Sequence, residues 1–229
     1  NGDIYISNSI GKPGEKTVIR HVGPATGSGY IRLAEGCTIN GTVTLENSSN
    51  GGMIIETSIP RNAYIAKLGS GTGFLRFSSS SHIGQNVKVT NGSSGPIVIN
   101  NGSLMTNCHL IRTGASDDLL NVDGILYGTV GIDMVDAGKV TLTGYYYAEH
   151  ASVVHYSSPQ RKSLSVSGNA IAGNLYIENS SNGKVIADPK TTDGSRFVLS
   201  GSGTGYFSLS CVLNGTAYLV NETPGYISM

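Results

Sequence analysis

Arg112, Asp133, His155 and Glu178 follow one another at intervals of 21, 22 and 23: a guanidinium, a carboxylate, an imidazole and a second carboxylate at nearly one spacing. If each interval is one turn of a stacked backbone, the four occupy neighbouring rungs. Asp133 and Glu178 then lie two rungs apart, about 9 to 10 Å at the usual strand spacing. Inverting glycoside hydrolysis uses two carboxyl groups roughly 6.5 to 9.5 Å apart, one acid and one base with a water between them. In that reading Glu178 is the acid, Asp133 the base, and His155 the group that tunes both. The same row can equally be a solvated ladder of charges, held by modest cross-strand pairing.

A second candidate is TGYYYAEHASVVHYSSPQRK, beginning at Thr143, which holds four of the twelve tyrosines and two of the five histidines. Tyr145, Tyr146 and Tyr147 alternate in direction along a strand, so at least one faces outward. A tyrosine there offers a sugar an apolar face and a hydroxyl. With Glu149, His150, Tyr156 and Arg112 they form a candidate carbohydrate-binding set; the competing reading is core filling at an irregular coil. Asp117, Asp118 and Asp123 fall at a predicted corner, where turn chemistry accounts for aspartate and a cation or catalytic role is the alternative. The pentapeptide GSGTG occurs at Gly69 and again at Gly201. It has the look of a phosphate cradle, but no helical pattern and no Lys-Ser/Thr follows it.

The elements that must position these residues follow from composition and period. The chain has 229 residues, only 13% of them charged, and no net charge, so its polar surface is built from Ser, Thr, Asn and Gly. A nucleic-acid binder that tracks phosphates needs a basic excess. No apolar run approaches the roughly 18 residues of a membrane span, and the start lacks a signal-peptide pattern. The absence of an initiator methionine points to a processed product or a fragment of a longer chain, with residues 1–229 forming one domain. Cys37, Cys108 and Cys211 are odd in number and lack metal-ligand spacing, so they read as small buried hydrophobes, and no metal or cofactor is expected. Seven Asn-x-Ser/Thr sequons, at Asn40, Asn47, Asn91, Asn101, Asn179, Asn214 and Asn221, read mostly as chance in so Asn- and Ser-rich a chain.

Residues 36–73 align without gaps on residues 168–205, an offset of 132, and residues 27–47 align on 71–91 at 44, one third of it. Within each 44 two families of short β-branched, alternating segments recur, each at steps of 20 to 24. One runs through YIRL at 30, MIIE at 53 and FLRF at 74, the other through TVTLE at 42, YIAKL at 64 and NVKVT at 86. A third, shorter apolar segment lies between them. Three short strand faces per roughly 22 residues predict a right-handed parallel β-helix of about ten coils, a rod near 50 Å long. The alternative is a five-bladed β-propeller, with four strands in each 44.

Gly/Ser/Asn-rich coils of this period, low charge and unpaired cysteines resemble the β-helical shafts of bacteriophage tailspikes and tail fibres. The resemblance covers most of the chain and is architectural. It implies a parallel homotrimer on the virion tail that folds in the host cytoplasm, where thiols stay reduced. It also implies recognition of a capsule or O-antigen polysaccharide, often with glycoside hydrolase or lyase activity on that glycan. A structural or adhesive shaft without activity, exported to the extracellular space, is the alternative.

Overall fold

In a computed structural model, the described residues are 2–24, 26–69, 71–100, 103–113, 119–127, 131–134, 138–142, 146–157, 163–167, 173–188, 190–191 and 194–229. They form no helix; they are short strands stacked as a parallel β-solenoid. Eleven strands make the first sheet, from Ile4–Ile6 to Ile227–Ser228, and every step along it is parallel. Ten make the second, from Lys16–His21 to Ala217–Asn221, again all parallel. A third face is carried by His82–Ile83, Leu104–Thr106 and Ile125–Tyr127 and joins the second sheet through the long strand Tyr146–Tyr156. Propeller blades are antiparallel meanders, so these pairings exclude that alternative.

Alternation decides what lies inside. In the first sheet Ile31, Met53, Leu75, Ile97 and Leu120 stack in register, and in the second Leu45, Ile65, Val89, Leu110 and Ile132 do the same, all buried. Each such side chain withdrawn from water contributes about 1.5–3 kcal/mol, and each coil buries its apolar face only against its neighbours.

The last inward position of the second sheet is different. His21, Asn47, Lys67, Asn91, Arg112, Met134, Tyr156, Asn179, Leu199 and Asn221 succeed one another in register, a mostly polar column at a corner of the coil. The asparagines work the same way each time. Asn47 Oδ1 accepts from the amide and hydroxyl of Ser49, and its Nδ2 donates to the carbonyls of Gly29, Gly51 and Gly52. Ser49 Oγ in turn accepts from the Gly51 amide. Asn91 with Ser93 and Gly95, Asn179 with Ser181 and Gly183, and Asn221 with Thr223 and Gly225 repeat the scheme. The motif is therefore Asn-x-Ser/Thr-x-Gly, and four of the seven sequons are corners rather than chance. Asn47, Asn91 and Asn179 are at most 1% exposed, out of reach of a glycosylating enzyme in the folded chain.

Where the column residue is Lys67 or Leu199, no amide side chain can hold the turn, and a left-handed glycine two residues on makes it instead: Gly69 at φ 84° and Gly201 at φ 74°. These are the first glycines of the two GSGTG copies. At the opposite corner Asn62, Asn86 and Asn107 take the same left-handed conformation, at φ 60°, 59° and 45°.

Candidate functional site

Asp133, His155 and Glu178 are in-register neighbours on the second sheet, continuing from Ile111 and on to Val198. Arg112 is not part of this row. It pairs with Met134, one residue further on, faces inward at 2% exposure and reaches the Ser94 carbonyl at 3.5 Å. The coil step there is 22 rather than 21, and on a pleated strand a slip of one turns a side chain to the other face. Tyr156 is likewise fully buried in the corner column, so neither residue presents itself to a glycan.

The outward neighbour that sequence reasoning missed is His109. Its register partner is Gly131, and a Cβ at Gly131 would stand 3.0 Å from the imidazole. The missing side chain lets the ring lie across to Asp133, with Nε2 2.8 Å from Oδ2. Both side chains keep water contact, 44% and 35% exposed, so the pair adds little stability. Glu178 is held on its other side: Tyr176 donates its hydroxyl to Oε2 at 3.2 Å and Ser200 donates to Oε1 at 2.5 Å. Burial, then the charge of Glu178, pushes the Tyr176 phenol above its ordinary value and keeps it a donor at neutral pH. The row thus offers two hydrogen-bonded carboxyl groups on rungs two apart, with an imidazole bonded to one of them, on the outside of a pleated sheet.

Tyr145, Asp117 and Asp118 lie outside the described residues, as do the side chains of Tyr146, Tyr147, Glu149, His150 and His155. In the backbone, Tyr146 and Tyr147 pair with Leu126 and Tyr127, and the register against Gly173–Asn179 shifts between Ala148 and Ser152. Asp123 donates its amide to the Ile99 carbonyl one coil back. Among the described residues no three His, Cys, Asp or Glu side chains converge as a metal site. The cysteines are free thiols, and burial pushes Cys108 up to about 12, far from a working nucleophile.

The outer face of the first sheet carries a second arrangement. Phe74 leans over Gly52, where a Cβ would meet its ring at 2.9 Å, and its ring centroid lies 6.1 Å from that of Tyr30, two strands away. The Arg76 guanidinium lies 5.0 Å from the Phe74 centroid, and that of Arg32 5.8 Å from Tyr5. Glu56 holds Arg32 through two hydrogen bonds of 2.8 and 3.0 Å. Asp3, Tyr5, Tyr30, Arg32 and Ile54 line a cleft of about 330 Å³. The signal was present in the sequence: GYIRL, GFLRF, GYFSL and GYISM each place an aromatic residue after a glycine at a strand start.

No protein-family model matches the chain, and neither the curated proteins nor the solved structures give a significant match to it.

Proposed function

We propose that the chain is a receptor-binding β-helix of the bacteriophage tailspike or tail-fibre kind, a homotrimer carried on the virion tail that recognises a bacterial surface polysaccharide. The observation that carries this reading is the row of rings at the strand starts of the first sheet, set beside guanidinium groups on a stiff ladder. Aromatic faces take the apolar side of a sugar, and the polar groups beside them take its hydroxyls. Titrating purified capsular and O-antigen polysaccharides into the protein by calorimetry tests it. Tyr30→Ala is expected to weaken binding about tenfold, some 1.4 kcal/mol; failure of every such glycan to bind overturns the reading.

A depolymerase is the second reading, favoured by the His109–Asp133 contact and the in-register Glu178. In it Asp133, bonded to His109, serves as base and Glu178 as acid. New reducing ends should then appear on a bound glycan, and Asp133→Asn or Glu178→Gln should each slow their release by at least about 10²-fold. Cleavage untouched by both changes would remove these residues from the chemistry.

A further inference from the structure

The internal offset of 132 sets Asn50-Gly51-Gly52 on Asn182-Gly183-Lys184 and Thr72-Gly73-Phe74 on Thr204-Gly205-Tyr206. The backbone solution is shared: Asn50 Oδ1 accepts from the Thr72 amide at 2.6 Å, and Asn182 Oδ1 from the Thr204 amide at 3.0 Å. What differs is what stands on it. In the first copy Phe74 lies over the bare backbone of Gly52 and fills the space. In the second copy Lys184 occupies that place and Tyr206 replaces the phenylalanine. The Lys184 ammonium sits 5.5 Å from the Tyr206 centroid, and Tyr206 stacks on Tyr226 at 4.6 Å with the rings 11° apart. Ser163, Asn182, Lys184, Thr204, Tyr206 and Tyr226 line a cleft of about 400 Å³. That size suits one or two sugar rings.

The charge of the two clefts is opposite in character. The cleft at Tyr30 contains Asp3, and its arginine is already bound by Glu56. Among the described residues the cleft at Tyr206 contains no acidic residue and Lys184 forms no ion pair. Tyr226 is 57% exposed, so its ring is open to solvent.

We infer that the Tyr206–Tyr226–Lys184 cleft is a subsite for an acidic sugar, a hexuronate or a sialate-type residue of the glycan. The sugar ring lies along the tyrosines, its carboxylate meets the Lys184 ammonium, and its hydroxyls meet Ser163 and Thr204. A cation held beside an aromatic ring in a partly dry cleft is a stronger partner for a carboxylate than one free in water. This inference rests on the polysaccharide-binding reading and adds to it the charge of the ligand.

The probes are tri-galacturonate and sialyllactose, each compared with its carboxyl-reduced form, titrated into the intact protein and followed by calorimetry and tyrosine NMR shifts. At least one acidic probe should bind at least tenfold more tightly than its reduced form, and the difference should shrink as salt is raised. Lys184→Gln should erase that difference, and Tyr226→Ala should weaken both forms. Lys184 is only half-buried, so the variant's circular dichroism should match the wild type. Equal binding of acidic and reduced probes, or an unchanged preference in Lys184→Gln, overturns the assignment. If neutral glycans still bind at Tyr30 while neither acidic probe binds, this subsite fails and the receptor reading stands. If no saccharide binds on either face, both fail.

Discussion

The two copies of GSGTG turn the same corner over different interiors. In the first, Lys67 fills the corner column fully buried, and its ammonium donates to the carbonyl of Ser49 at 2.5 Å and of Leu68 at 3.0 Å. In the second, Leu199 fills it, and the equivalent carbonyl, that of Ser181, accepts instead from the Gly205 amide at 3.1 Å. A backbone donor does in one coil what a lysine does six coils away. The corner therefore tolerates a cation or an alkyl chain, provided the carbonyl finds a donor. What both copies share is the asparagine one coil earlier, Asn47 or Asn179, and that residue should matter most.

Asn47→Leu and Asn179→Leu test this directly. Each leaves the amide of the serine two residues on without its acceptor and takes one donor from each of three carbonyls at Asn47 and two at Asn179, of which Gly29, Gly52 and Gly183 keep a second donor in Ser49 Oγ, the Ile31 amide and the Tyr206 amide. Buried groups left unpaired cost about 1–3 kcal/mol each, so the expected loss is about 3–5 kcal/mol in urea denaturation, the larger at Asn47. A variant that unfolds at the wild-type midpoint would show that the asparagine only fills space.

Exchanging the column residues gives the next largest effect. Leu199→Lys removes a core side chain and buries a charge, with an expected cost of about 2–4 kcal/mol. Lys67→Leu copies a corner that already works and should change stability by no more than about 1 kcal/mol. The pair is also distinguishable by pH. Burial pushes Lys67 below its ordinary value, so the folded state binds that proton less tightly than the unfolded chain does. Stability from this residue is thus lost as pH falls through the depressed value, and regained as pH rises toward the unfolded value of about 10.4. The wild type should gain on Lys67→Leu as pH climbs through that window. A difference that stays flat to pH 10 would mean that the ammonium is not desolvated.

The stack itself was legible because each strand announces itself twice, by β-branched residues and by period-two alternation, and because the segment spacing stays near 22. Facing was not always legible, since it depends on the exact coil step; an interval of 21 points Arg112 outward where the coil takes 22. His109 was hidden for a different reason. It approaches Asp133 diagonally, over the empty place of Gly131, and no column of like spacing contains both. The asparagine corners were visible as sequons, but their Ser/Thr and Gly partners gain meaning only when the fold shows the hydroxyl bonded to the amide. The aromatic starts of the first-sheet strands look like strand formers in the sequence, and it takes two stacked coils to bring one ring over another.

The smallest effect separates the two turns themselves. Gly69 and Gly201 both lie in the left-handed region, so alanine at either should cost about 1 kcal/mol. The surroundings are unequal: a Cβ at Gly69 would lie 3.1 Å from the Ser48 carbonyl oxygen, whereas at Gly201 the nearest atom is 3.7 Å away. Gly69→Ala should therefore lose a few tenths of a kcal/mol more, read as a lower thermal midpoint, because backbone conformation is common to both and only the contact differs. Equal losses would assign the whole cost to φ and make the two corners interchangeable in their backbone. A larger loss at Gly201 would mean that the first copy relaxes its turn through its own buried neighbours, Ala66 and Lys67, where the second copy has Val198 and Leu199.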